Sequence, residues 1–140
     1  MAENSLIEQI TMMLDKAGRS LDAAKTLLEH SNYDFSSSRS YYSAFYSVQA
    51  LLLTKNLVYS KHSGVIAGFS EHFIRHGLFP AHYAKYISRL FRERHIGDYD
   101  YISTITREDA EKDYEISTEL VTAIKKYLEE NGFTGISNGE

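Results

Sequence analysis

The sequence predicts an all-α protein, an antiparallel up-and-down helical bundle of four to five helices. Three observations carry that expectation. The chain has one proline in 140 residues, it has few β-branched runs, and its apolar residues recur at the helical period in five stretches. Short breaks join the stretches, which favours antiparallel neighbours.

The first stripe is Leu6, Ile10, Met13, Leu14, Ala17, Leu21, Ala24 and Leu28, so residues 4–30 read as a long amphipathic helix. Ser31, Asn32 and Tyr33 break it, and Asp34 or Ser36 is placed to cap the next helix. The second helix, 35–56, is apolar nearly all round: Tyr41, Tyr42, Phe45, Tyr46, Val48 and Leu51 to Leu53 leave only a strip of Ser40, Ser43, Ser47 and Ala50. Such a helix belongs at the centre, and the strip of small residues admits a neighbour at close range. A shorter helix is expected at 63–76, stopped by Gly77, and a fourth from Pro80 to Ile96, stopped by Gly97. The apolar face of the fourth is Tyr83, Tyr86, Ile87 and Leu90, and residues 98–105 read as irregular. Thr106 with Asp109 resembles a capping box for a last helix carrying Ala110, Tyr114, Ser117, Val121, Ile124 and Leu128 up to Gly132. Residues 1–132 thus make one domain, and 133–140 a frayed, disordered tail.

Hydrophobic residues make up 43% and charged residues 24%, the balance of a globular chain. Cysteine is absent, which excludes disulfides, thiolate metal sites and cysteine nucleophiles together. No apolar run reaches the roughly 20 residues that span a bilayer. The first residues carry Glu3 and Glu8 in place of a basic leader, so a soluble cytoplasmic protein is expected. The net charge of −4 argues against general nucleic-acid binding. Its distribution is uneven, however. Residues 75–95 hold Arg75, Lys85, Arg89, Arg92 and Arg94 against Glu93 alone, with His76, His82 and His95 among them. The plain alternative is that this basic island pairs with the acidic final segment.

Arg94 falls between Tyr83, Ile87 and Leu90, on the face that should be buried. Arginine is rarely buried unless paired, and Asp98, four positions on, has the spacing of a structural partner in a poorly solvated place. Lys85, Arg89, Arg92, His95 and Tyr99 lie on the other side, within about 120° of one another. Guanidinium forks bind phosphate oxygens, and a histidine beside them moves a proton. As a phosphate site, the stripe is expected to need Arg89 and His95 for activity, while alanine at either leaves the core intact. The alternative is a solvent-facing stripe without chemistry. Arg39, one turn before Tyr42, is a supporting polar group at the core's edge. His72 and His76 are four apart but lack a third ligand, so neither a metal nor a cofactor is expected. Aromatics left over from the core, such as Phe79, Phe91 and Tyr101, are expected to find cover at a homodimer interface.

The run Ser38-Arg39-Ser40-Tyr41-Tyr42-Ser43-Ala44-Phe45-Tyr46, then Ala50-Leu51-Leu52, then His62-Ser63-Gly64-Val65-Ile66 and Phe69, resembles the HEPN domain family. Within it, the chain is similar to the small standalone prokaryotic proteins of the UPF0332 type. The likeness continues through Arg94, Asp98 and Tyr99 and the start of the last helix at Glu108-Asp109-Ala110. It implies a dimerising bundle commonly encoded beside a minimal nucleotidyltransferase. Many members of the wider family are metal-independent RNases that act as toxins in toxin–antitoxin pairs. Their motif is an arginine, then four to six residues, then a histidine, with two copies meeting across the dimer. Arg89 and His95 have that spacing, with five residues between them. The position matching this branch's own pattern is Arg94 with Asp98 and Tyr99, an aspartate standing near the place of the RNase histidine.

The resemblance therefore implies Arg89 and His95 as catalytic residues, with Lys85, Arg92 and Tyr99 binding phosphate or nucleotide. Arg94 and Asp98 are the motif pair. The alternative is a non-catalytic HEPN module that holds a nucleotide or the nucleotidyltransferase partner and breaks no bond; RNA is a further candidate ligand of the chain.

Overall fold

Helix α2 (Tyr33–Leu53) is the axis on which the other elements are laid. Around it stand α1 (Ala2–Glu29), α3 (His62–Phe69), α4 (His82–Tyr99) and α5 (Arg107–Glu130), and no strand occurs among the described residues. The computed structural model describes residues 2–101 and 104–133; of the tail expected at 133–140, residues 134–140 lie outside the described residues. The all-α bundle expected from the sequence is the observed one.

The central position of α2 follows from its composition. Tyr41, Ala44, Val48 and Leu51 are fully buried, and α2 packs against all four other helices. Its serines make that close packing possible. Ser43 Oγ donates to the Ala17 carbonyl at 2.6 Å and Ser36 Oγ to the Ala24 carbonyl at 2.7 Å, which ties α2 to α1. Ser117 Oγ on α5 donates to the Ser40 carbonyl at 2.7 Å, and Ser20 Oγ on α1 to the Arg39 carbonyl at 2.9 Å. A small hydroxyl satisfied on a neighbour's backbone lets two helices approach closely without orphaning a polar atom.

Most boundaries follow the sequence. Gly77 and Gly132 adopt φ of +76° and +78°, the left-handed geometry of a helix stop. Thr106 and Asp109 form a reciprocal capping box, each bond 3.1 Å. Three expectations need correction. Neither Asp34 nor Ser36 caps α2, because the helix begins earlier: Asn32 is the capping position, and Ser36 already serves Ala24. The third helix is not regular to residue 76, since a wider π-helical turn, Ser70–Ile74, follows α3 and seats Phe73 in the core. Gly97 does not stop α4, which runs on to Tyr99. A Cβ at Gly97 would lie 2.9 Å from the Asp34 carbonyl oxygen, so this glycine permits α4 to press against the first turn of α2. Phe79 also departs from expectation. It is covered within the chain, its ring 5.8 Å from Phe69 and 5.3 Å from Tyr127, whereas Tyr101 is 96% exposed.

Candidate functional site

The basic face of α4 divides into three environments. Arg89 is held by carboxylates: its Nε donates to Asp113 Oδ1 at 2.8 Å, while Nη2 lies 3.5 Å from Glu93 and 3.6 Å from Asp109. Asp113 is fully buried, and its other oxygen accepts from Ser37 Oγ at 2.8 Å. This corrects the placing of Arg89 on a solvent-facing stripe. The acidic residues of α5 occupy the angle at which the stripe begins, so here the basic island does pair with the final segment. Burial raises the Asp113 carboxyl above its ordinary value, against the opposing pull of Arg89 and Ser37. Burial, reinforced by Asp113, pushes Glu93 up to about 7.

The second environment is open. Lys85, Arg92 and His95 are exposed and make no ion pair or side-chain hydrogen bond among the described residues. The His95 ring lies 5.1 Å from that of Tyr99, which is 62% exposed. These four keep the shared side that helical spacing assigns them.

The third environment is a cage of rings around Arg94. This residue is 9% exposed, as its place on the apolar face requires. Its guanidinium carbon lies 5.2 Å from the Tyr41 ring, 5.5 Å from Tyr42, 5.6 Å from Phe91 and 6.0 Å from Tyr99. The ion pair with Asp98 is loose, at 3.9 Å, and the Asp98 side chain is 27% exposed. Among the described residues Arg94 Nε is buried without a hydrogen-bond partner. Nη2 reaches His62 Nδ1 at 3.4 Å, and the same nitrogen lies 2.7 Å from the Tyr41 hydroxyl. Arginine only donates, so the shared Nδ1 is assigned as the acceptor, Tyr41 O–H donates to it, and the ring proton sits on Nε2. Burial raises the Tyr41 phenol despite Arg94, and burial together with Arg94 lowers His62, keeping the imidazole neutral. The imidazole stacks on Phe45 at 4.2 Å.

His62 entered the sequence reading only as part of a family run. It stands 32 positions before Arg94, a separation that no helical periodicity connects. Arg39 stands beside the cage, its guanidinium 4.8 Å from the Tyr42 ring. A cleft of about 420 Å³ opens beyond the end of α4, but Asp34, Asp98 and Asp100 line it and repel phosphate. No group of three metal-ligating side chains comes together among the described residues; His72 faces Glu71 at 3.6 Å and His76 is exposed.

Comparison with known proteins matches this architecture to one family. The HEPN domain profile covers residues 10–127, from the middle of α1 to near the end of α5. A Methanocaldococcus jannaschii protein named "Putative toxin MJ0142" is 38% identical over 120 residues, 86% of this chain and 82% of the relative. A second protein of that organism, "Putative toxin MJ0605", is 37% identical over 123 residues, 88% of this chain and 91% of its own length. A Thermotoga maritima "UPF0332 protein" is 36% identical over 115 residues, 82% of this chain and 87% of its own. Matched from residue 10 to residue 127, along nearly the whole bundle, this chain belongs to the HEPN domain family.

Proposed function

We propose that this chain is the toxin-like member of a two-gene system with a minimal nucleotidyltransferase, and that it acts in the cytoplasm, as a homodimer, as a metal-independent endoribonuclease. The observation that carries the reading is the open edge of α4. There His95 stands against the exposed Tyr99, with Lys85 and Arg92 on the same side and no carboxylate engaging them among the described residues. The toxin names of the two archaeal relatives support the partner system. In the reaction, His95 of one subunit takes the proton of a ribose 2′-hydroxyl. The 2′-oxygen bonds to the adjacent phosphorus, the bond to the 5′-oxygen breaks, and His95 of the second copy returns a proton to that oxygen. The products are a 2′,3′-cyclic phosphate and a 5′-hydroxyl. Arg92 and Lys85 offset the charge that builds on the phosphorane.

The test is incubation of the purified chain with RNA in EDTA, with the ends of the products identified. Cleavage that persists in EDTA and vanishes in His95→Ala supports the reading. RNA that is bound but left intact supports the second reading, a binding module without catalysis. One observation favours that alternative: Arg89, the arginine at RNase spacing from His95, is engaged by Asp113, Glu93 and Asp109. Co-purification with the product of a neighbouring nucleotidyltransferase gene tests the partner under either reading.

A further inference from the structure

Arg94 is a cation taken out of water without a full counter-charge. Among the described residues its one carboxylate partner is 3.9 Å away, and Nε is buried without a hydrogen-bond partner. Aromatic faces hold such a cation but do not satisfy its N–H groups, and a poorly screened positive charge attracts an anion strongly. A second guanidinium, Arg39, approaches the same ring: Tyr42 has Arg39 at 4.8 Å and Arg94 at 5.5 Å, and Arg39 makes no ion pair among the described residues. The imidazole of His62 lies 6.0 Å from Tyr42, edge to face. With Nδ1 occupied by Tyr41 and Arg94, His62 has its Nε2–H left to donate, and no described residue accepts it. Three donors, two guanidiniums and an imidazole, thus gather round one tyrosine, and among the described residues the one ion pair in this group is the loose Arg94–Asp98 pair.

We infer that Arg39, Arg94 and His62 form a clamp for a backbone phosphate of single-stranded RNA, with Tyr42 as its floor. The clamp rests on the RNA reading above and adds to it a second phosphate contact, next to the one at His95, at the junction of α2, α3 and α4. Arg94 and Arg39 present planar donor forks suited to phosphate oxygens. Tyr99, the most exposed ring of the cage, also touches His95, so the pair offers a stacking surface to the base beside the clamped phosphate.

The test is binding of a short single-stranded RNA to the full chain at low salt, with the imidazole signals of His62 followed by NMR. Arg39→Gln and His62→Gln should each weaken binding roughly tenfold, the loss of one charge-assisted or polar contact to phosphate. Arg39 is half-buried and outside the ion-pair network, so Arg39→Gln gives a folded variant even if substitutions at Arg94 do not. Arg19→Gln on α1, exposed and paired with Asp15, removes the same charge elsewhere and should stay within about twofold of wild type. RNA should also shift the His62 ring signals. If wild type binds RNA and both clamp variants bind as Arg19→Gln does, the clamp is overturned while the RNA reading stands. If wild type binds no RNA, inorganic phosphate decides: His62 signals that move, and stop moving in Arg39→Gln, keep the clamp and discard RNA as its ligand. Signals that do not move overturn the clamp.

Discussion

Arg89 and Arg94 lie five residues apart on α4, yet the fold treats them oppositely. Arg89 meets Asp113, Glu93 and Asp109 and becomes a rivet between α4 and α5. Arg94 meets Tyr41, Tyr42, Phe91 and Tyr99, with one loose carboxylate at 3.9 Å. The first charge is neutralised by the protein, with three carboxylates facing one guanidinium and burial raising Asp113 and Glu93. The second charge is held in place but left under-neutralised. A buried cation with saturated partners is architecture, and one surrounded by rings retains its attraction for an outside anion. The number of nearby carboxylates separates the two roles, Arg89 being the more exposed of the two.

The contrast breaks most visibly at Asp113. Asp113→Ala leaves Arg89 without its 2.8 Å partner and Ser37 without an acceptor, and should cost about 3–5 kcal/mol in denaturant unfolding. Arg89→Ala should cost about as much, because it strands the buried carboxylate instead. A loss within about 0.5 kcal/mol, the range of exposed sites, would return Arg89 to the surface stripe.

Glu93 gives the next largest effect, and its sign depends on pH. Its carboxyl titrates at about 7 in the fold against an ordinary 4.5, so between those values the folded chain holds a proton that the unfolded chain has released. Stability therefore falls as pH rises through that window, and the full cost is present above it. Glu93→Gln should be more stable than wild type by about 1–2 kcal/mol near pH 8 and should lose that advantage near pH 4, as read by thermal or denaturant melts across pH.

Asp98→Ala should cost less than about 1 kcal/mol, since its pair with Arg94 is long and partly solvated. The sequence expected a tighter pair in a drier place, and a larger loss would restore that expectation. The smallest stability change is due at His95, which is exposed and whose replacement by alanine should move stability by no more than about 0.5 kcal/mol. That same substitution should abolish RNA cleavage, so stability and activity separate at this residue.

Much of this was legible from residue order. The central helix was readable because an apolar surface that wraps a helix must be covered on every side, and Tyr41 and Val48 are fully buried. Arg94 was readable as buried from its angle between Ile87 and Leu90. The end of α4 was misread because glycine is a helix stop in one setting and a contact point in another. Only the Asp34 carbonyl, 2.9 Å from where a Cβ would stand, distinguishes them at Gly97. Phe79 was assigned to an interface because the sequence does not reveal that Phe69 and Tyr127 close over it.

By itself, the sequence determined the helices, their caps and stops at Thr106, Gly77 and Gly132, and the face each helix buries. These depend on local spacing and backbone preference, which neighbours in the chain decide among themselves. The tertiary structure alone decided which charge meets which partner. A helical wheel gives the direction of Arg89 but not that α5 lies there with Asp113, and it gives the burial of Arg94 but not that His62 arrives from 32 positions away. Side-chain electrostatics acts over a few ångströms of space, and residues remote in sequence come that close only when the helices pack.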